Sequence, residues 1–239
     1  MPLPKIATPT YELELPSTGA SIQYRPFLVK EEKVLVIALE SEDNKQITNA
    51  IKAVLKSCIL SKGIKVEDLP TFDIEYLFLN IRGKSVGEDL DVNIICPDDN
   101  KTQVPVTIAL DEIEVQKDDN HTNKIKVDDS IMMEMKYPSL EQFIKNNFDF
   151  NDKNAMDQSF ELIASCIDKI YTEDEVWASA DCTKKEMKDF LEQMNSNQFK
   201  EIEKFFETMP KLSHSISVTN PKTKVESEVV LEGLASFFA

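Results

Sequence analysis

YELELPSTGASIQYRPFLVKEEKVLVIALESE, residues 11–42, decides how this chain folds. Tyr11, Leu13 and Leu15 alternate with Glu12 and Glu14, and beyond Ser17-Thr18-Gly19 the residues Ile22 and Tyr24 alternate with Gln23 and Arg25. A period of two on both sides of a glycine-bearing turn predicts an antiparallel hairpin. Pro26 cannot donate to a ladder, so the second strand ends there. From Phe27 the pattern becomes a dense apolar run, Leu28, Val29, Val34, Leu35, Val36, Ile37, Ala38 and Leu39, interrupted by Lys30-Glu31-Glu32-Lys33. That run predicts a largely buried helix.

On the C-terminal side, Ser41-Glu42-Asp43-Asn44 is a capping signal for a second helix with Ile47, Ile51, Val54, Leu55 and Cys58 on one face. The short polar corner predicts that the two helices lie nearly antiparallel. Gly63 and the turn at 66–70 precede a third helix, with Thr71 or Asp73 as its cap and Gly83 as its C-cap. Its apolar residues, Ile74, Tyr76, Leu77, Phe78, Leu79 and Ile81, run nearly all round and predict a central position. Residues 1–10, with Pro2, Pro4 and Pro9, form an extended arm that either frays or docks on a neighbour.

Strand character begins near Val86. Leu90, Val92, Ile94 and Cys96 alternate with Asp91, Asn93 and Ile95, Pro97-Asp98-Asp99-Asn100 makes a turn, and Val104, Val106 and Ile108 answer on a strand that Pro105 marks as an edge. Further short strands are expected at 114–116, 124–127 and 130–136. Helices are expected near 139–147, 154–171, 183–194 and 196–208, followed by a closing hairpin of 213–218 and 224–231 around Asn220-Pro221. The fold class is therefore α+β: an N-terminal β-hairpin plus helices, central antiparallel strands, and a C-terminal helical lobe closed by a β-hairpin. The segments are 1–87, 88–137, 138–210 and 211–239, and with no Pro/Gly/Ser-rich linker between them they are expected to form one compact unit.

Charge narrows the function. Against 27 Lys and Arg stand 43 Asp and Glu, a net −16, and a surface this acidic repels phosphate backbones and anionic membranes. No nucleic acid and no membrane is expected as partner; the acidity serves solubility or matches a basic partner surface. No apolar run approaches the ~20 residues of a membrane span. The N-terminus carries no secretory pattern. Cys58, Cys96, Cys166 and Cys182 stand singly, as small buried hydrophobes of a reducing compartment.

No constellation for catalysis emerges. The two histidines, His121 in a polar loop and His214 within SHSISV, read as structural or exposed residues. Gly19, Gly63, Gly83, Gly87 and Gly233 are isolated, so no phosphate-cradling loop can be written. Cys96 with Asp98 and Asp99 lacks the second cysteine of a zinc knuckle, and residues 149–154 open like a calcium loop but lack its glycine, with Phe160 where the bidentate Glu belongs. Acidic groupings such as Asp89 with Asp91, or Glu173-Asp174-Glu175, read as a solvated face. Catalytic, cofactor and metal residues are accordingly none, and no small-molecule substrate is expected. What remains are apolar contact features: Tyr24, Arg25 and Phe27 at the hairpin exit, which either pack in the core around one exposed arginine or meet a partner, and Phe237 and Phe238, which either close the core or insert into another subunit. Trp177 reads as a packing residue.

The blocks PTYELELPSTG (9–19), YRPFLVKEEKVL (24–35), LESED (39–43), LPTFDIEYLFLNIRGKSVGE (69–88), CPDDNKT (96–102), HTNKI (121–125), MKYPSLEQF (135–143) and CTKKEMKDFLEQMNSNQFKEIEKFFETMPKL (182–212) carry a resemblance. In this order they resemble the T4-like phage baseplate hub subunit and hub assembly protein family of contractile-tailed phages. The resemblance implies a non-enzymatic protein that binds other baseplate hub proteins, in the host cytoplasm during assembly. It implies either a subunit that stays in the virion tail baseplate or a transient assembly chaperone absent from it. It carries over no catalytic motif.

Overall fold

The hairpin forms from β1 (Tyr11–Glu14) and β2 (Ser21–Tyr24), antiparallel, with Leu13 opposite Ile22 and Tyr11 opposite Tyr24. Alternation puts Ile22 and Tyr24 inward, and both are buried. The computed structural model describes residues 6–41, 43–139 and 155–233; the helix expected at 139–147 and the calcium-like stretch 149–154 lie outside the described residues. Contacts divide the chain into two units, Met1–Gln116 with Lys211–Ala239, and Lys117–Pro210.

In the first unit the hairpin leads into α1 (Val29–Glu40), α2 (Asn44–Cys58) and α3 (Thr71–Val86). The α2 face read from sequence, Ile47, Ile51, Val54, Leu55 and Cys58, is buried. The chain after α2 returns to the hairpin, where Leu60 N donates to Gln23 O at 2.8 Å and Ile59 bridges Tyr24. α3 is central: Phe72, Ile74, Leu77, Phe78, Leu79 and Ile81 are buried, each stabilising the fold by about 1.5–3 kcal/mol relative to exposure.

Two expectations about α3 are corrected. Pro70 occupies its N-cap and no side chain caps it; Asp73 instead lies fully buried, accepting from Ser17 N at 3.0 Å and from the Ser17 hydroxyl, and so ties the hairpin turn to the helix. Gly83 is not the C-cap. It lies inside the helix, where a Cβ would sit 2.8 Å from Leu110 Cδ1, so its bare backbone admits that leucine. The helix closes at Gly87, at φ +133°, with Gly87 N donating to Gly83 O.

The strands β3 (Asp89–Ile95) and β4 (Gln103–Ala109) pair antiparallel, with Asn93 opposite Pro105 in a two-stranded sheet where either strand is an edge. A second sheet has the order β11-β10-β5, from β5 (Glu114–Gln116), β10 (Lys211–Thr219) and β11 (Glu226–Glu232). The closing hairpin thus returns to join a strand laid down about a hundred residues earlier. Leu79, Leu90, Val92, Ile94, Ile108, Leu110, Leu212 and Leu231 share one core.

The second unit holds β6 (Lys124–Lys126), β7 (Met132–Met135), α4 (Ala155–Ser165), β8 (Ile167–Tyr171), β9 (Val176–Ala178), α5 (Lys184–Glu192) and α6 (Ser196–Thr208). The helix read as running to 171 ends at Ser165. Ile167 and Ile170 instead enter a four-stranded sheet ordered β6-β7-β8-β9, with Met133 opposite Ile170. A three-residue spacing of isoleucines satisfies a helix stripe, but β-branched Ile and aromatic Tyr171 also suit a strand, and pairing with β7 decides. Met133, Met135, Cys166, Ile167, Ile170, Met187, Leu191, Ile202 and Phe205 form the core. α5 and α6 each begin with a complete capping box, Thr183 with Glu186 and Asn195 with Gln198.

Candidate interaction surfaces

The exit of the hairpin is a polar clamp over an apolar corner. Arg25 Nη2 donates to Glu31 Oε1 at 2.9 Å and its Nη1 to Pro26 O at 2.8 Å, while Leu28 N donates to Glu31 Oε2 at 2.8 Å. Glu31 is thereby both the ion-pair partner of Arg25 and the carboxylate that caps the start of α1. Burial opposes its charge, but the Arg25 hydrogen bond, the Leu28 amide, the guanidinium charge and the Ser57 hydroxyl hold the carboxyl down at about 2.

Of the expected contact residues, Tyr24 is only 2% exposed. Its ring lies 5.8 Å from that of Tyr11, in the core-packing arrangement of the two readings. Arg25 and Phe27 are half-buried, and Phe27 N is held by Ser85 Oγ at 2.9 Å. Phe237 and Phe238 lie outside the described residues.

α1 is not the largely buried helix expected from its composition. It packs its Glu31 and Ala38 side inward beside α2, while Val29 is 80% exposed and Val34, Val36 and Ile37 each stand about half in solvent. A run that is apolar all round says how much of a helix could be covered, not which side is. Val29, Lys33, Val36 and Glu40, at i, i+4, i+7 and i+11, make one outward stripe. Val34, Ile37 and Ala38 face α2, where Gln46, Asn49, Ala50 and Ala53 complete a groove of about 370 Å³.

The second unit displays a smaller surface. β9 is an edge strand of its sheet, and Val176 is 65% and Trp177 40% exposed. Trp177, read from sequence as a packing residue, lies opposite buried Ile170 and keeps two fifths of its surface exposed. Tryptophan is enriched where proteins meet.

The chemistry-bearing side chains are used structurally. His121 is clamped by Thr208 and Tyr137, and its ring lies tilted against Phe205 with centroids 5.2 Å apart; His214 Nδ1 meets Glu112 O at 3.1 Å. Asp99 accepts from Thr102 N, Thr102 Oγ1 and Lys101 N, closing its own turn. Asp98 accepts from Asn220 Nδ2 at 3.0 and 3.1 Å and from the Thr223 hydroxyl, joining the β3–β4 turn to the β10–β11 turn. Burial pushes the Cys58 thiol up to about 11 and the Cys166 thiol up to about 12, and burial followed by the Asp98 and Asp99 charges raises Cys96. The thiolate is the nucleophile and the metal ligand, so these three are held in the inert form. Among the described residues no group of three or more His, Cys, Asp or Glu converges to hold a metal ion, and no helix is long and apolar enough to cross a membrane.

One family model, described as T4 bacteriophage base plate protein, matches residues 8–239. No curated protein and no solved structure matches the chain.

Proposed function

The chain belongs to the T4 bacteriophage base plate protein family, and from that membership we propose that it acts in assembly of the baseplate hub, without catalysis, by binding other hub proteins. The observation that carries the reading is the exposed Val176 and Trp177 at a sheet edge. A tryptophan with 40% of its surface uncovered, beside a valine that is 65% exposed, offers a partner a rigid apolar anchor. The net charge of −16 adds a preference for a partner of basic surface.

Co-purification tests it. The tagged full chain, recovered from infected cells, brings down other hub proteins in stoichiometric amount, and Trp177→Ser reduces that recovery by about tenfold without changing the thermal unfolding midpoint. Recovery of the tagged chain with no tail protein, or undiminished recovery by the variant, contradicts the reading.

A further inference from the structure

We propose that the outer stripe of α1 pairs with the same stripe of a second copy of this chain, the two helices lying antiparallel about a two-fold axis. The inference goes beyond the hub reading, which rests on β9, and the two can fail separately.

Four residues carry it: Val29, Lys33, Val36 and Glu40, all exposed on one stripe. Among the described residues neither Lys33 nor Glu40 takes part in an ion pair, whereas Glu31, on the inner side, is paired with both Arg25 and Lys30. The stripe is therefore apolar with one unpaired cation toward its N-terminal end and one unpaired anion at its C-terminal end. When the two-fold axis passes between Val36 and Ile37, Lys33 of each copy falls opposite Glu40 of the other. Two ion pairs form by symmetry, and the two Val36 side chains meet between them, while Val29 lies beyond the pairs. A parallel arrangement places lysine against lysine and glutamate against glutamate, which disfavours it.

Charge also selects this face. Two copies at −16 each repel wherever their surfaces carry the average charge. The outer stripe has no net charge, so it is a place where a second copy approaches without that cost. Self-complementarity under a two-fold axis is what an isologous contact requires. One helix on another covers less than a standard interface, so the expected product is a weak, concentration-dependent dimer.

Sedimentation velocity of the purified full chain over a wide concentration series tests this. The expected result is a monomer–dimer equilibrium. Lys33→Glu or Glu40→Lys each replaces two attractive pairs with two repulsive ones and weakens the dimer by about tenfold. The double reversal restores it, and so does an equimolar mixture of the two single variants, whose heterodimer again sets opposite charges face to face. Both reversals follow the sense of the helix dipole, so neither unfolds α1; circular dichroism of each variant checks this. A chain that stays monomeric at every concentration, as it would if α1 served only a different protein, overturns the proposal. So does a dimer indifferent to both single reversals.

Discussion

His121 Nε2 lies 3.0 Å from the hydroxyl of Tyr137. On the other side of the ring Nδ1 meets Thr208 Oγ1 at 2.9 Å, and that hydroxyl already donates its proton to Lys204 O at 2.7 Å. Thr208 therefore accepts, Nδ1 carries the hydrogen, and Nε2 is left to accept from Tyr137. The site is built for a neutral imidazole.

Burial lowers the His121 pKa, with Asp118 opposing. A folded-state pKa below the unfolded one gives stability that is complete above the unfolded value of 6.5 and declines as pH falls through it. Denaturant unfolding from about pH 7.5 to about pH 5.5 is expected to show a larger loss for the natural chain than for His121→Gln. Equal losses refute the assignment.

Glu31 has the opposite sign. Its carboxyl is held at about 2 against an ordinary 4.5, so its contribution is present above 4.5 and disappears as pH falls from there toward 2. Glu31→Gln leaves Arg25 without its partner and weakens the α1 cap, at a cost of about 2 kcal/mol near neutral pH. The difference from the natural chain narrows in acid. Urea unfolding at several pH values measures it.

The two glycines of α3 separate conformational strain from crowding. Gly87→Ala forces a side chain into φ +133° with open space around it, a pure backbone cost of about 1–3 kcal/mol. Gly83→Ala gains about 1 kcal/mol of helix propensity while pressing its Cβ on the flexible tip of Leu110. Thermal unfolding is expected to rank Gly87→Ala as the more damaging of the two.

Local pattern made much of this legible. The alternation of Tyr11 to Tyr24, the paired runs around Pro97 to Asn100, and the stripes of α2, α5 and α6 each lie within a few residues of one another, and each element appears where its period placed it. What escaped was whatever depends on distant chain. Strand β8 needs β7 to pair with, and Asp73 needs Ser17, 56 residues away, to draw it from a capping role. His121 finds Thr208 across 87 residues. The exposure of α1 was hidden for a related reason: its apolar content announced contact, but the side left open follows from where α2 packs. Trp177 carried a signal in hindsight, a Val-Trp pair directly after Glu173-Asp174-Glu175, where a solvated segment had already begun.

Reconstitution tests the central claim most directly, that the chain works through its contact surfaces. Purified full chain is mixed with the purified baseplate hub proteins of the same phage and the mixture is separated by size-exclusion chromatography with light scattering. The account predicts a stable complex of defined stoichiometry that forms with no added cofactor and is lost with Trp177→Ser. Separate elution of the chain from every hub protein, with each component folded, contradicts it.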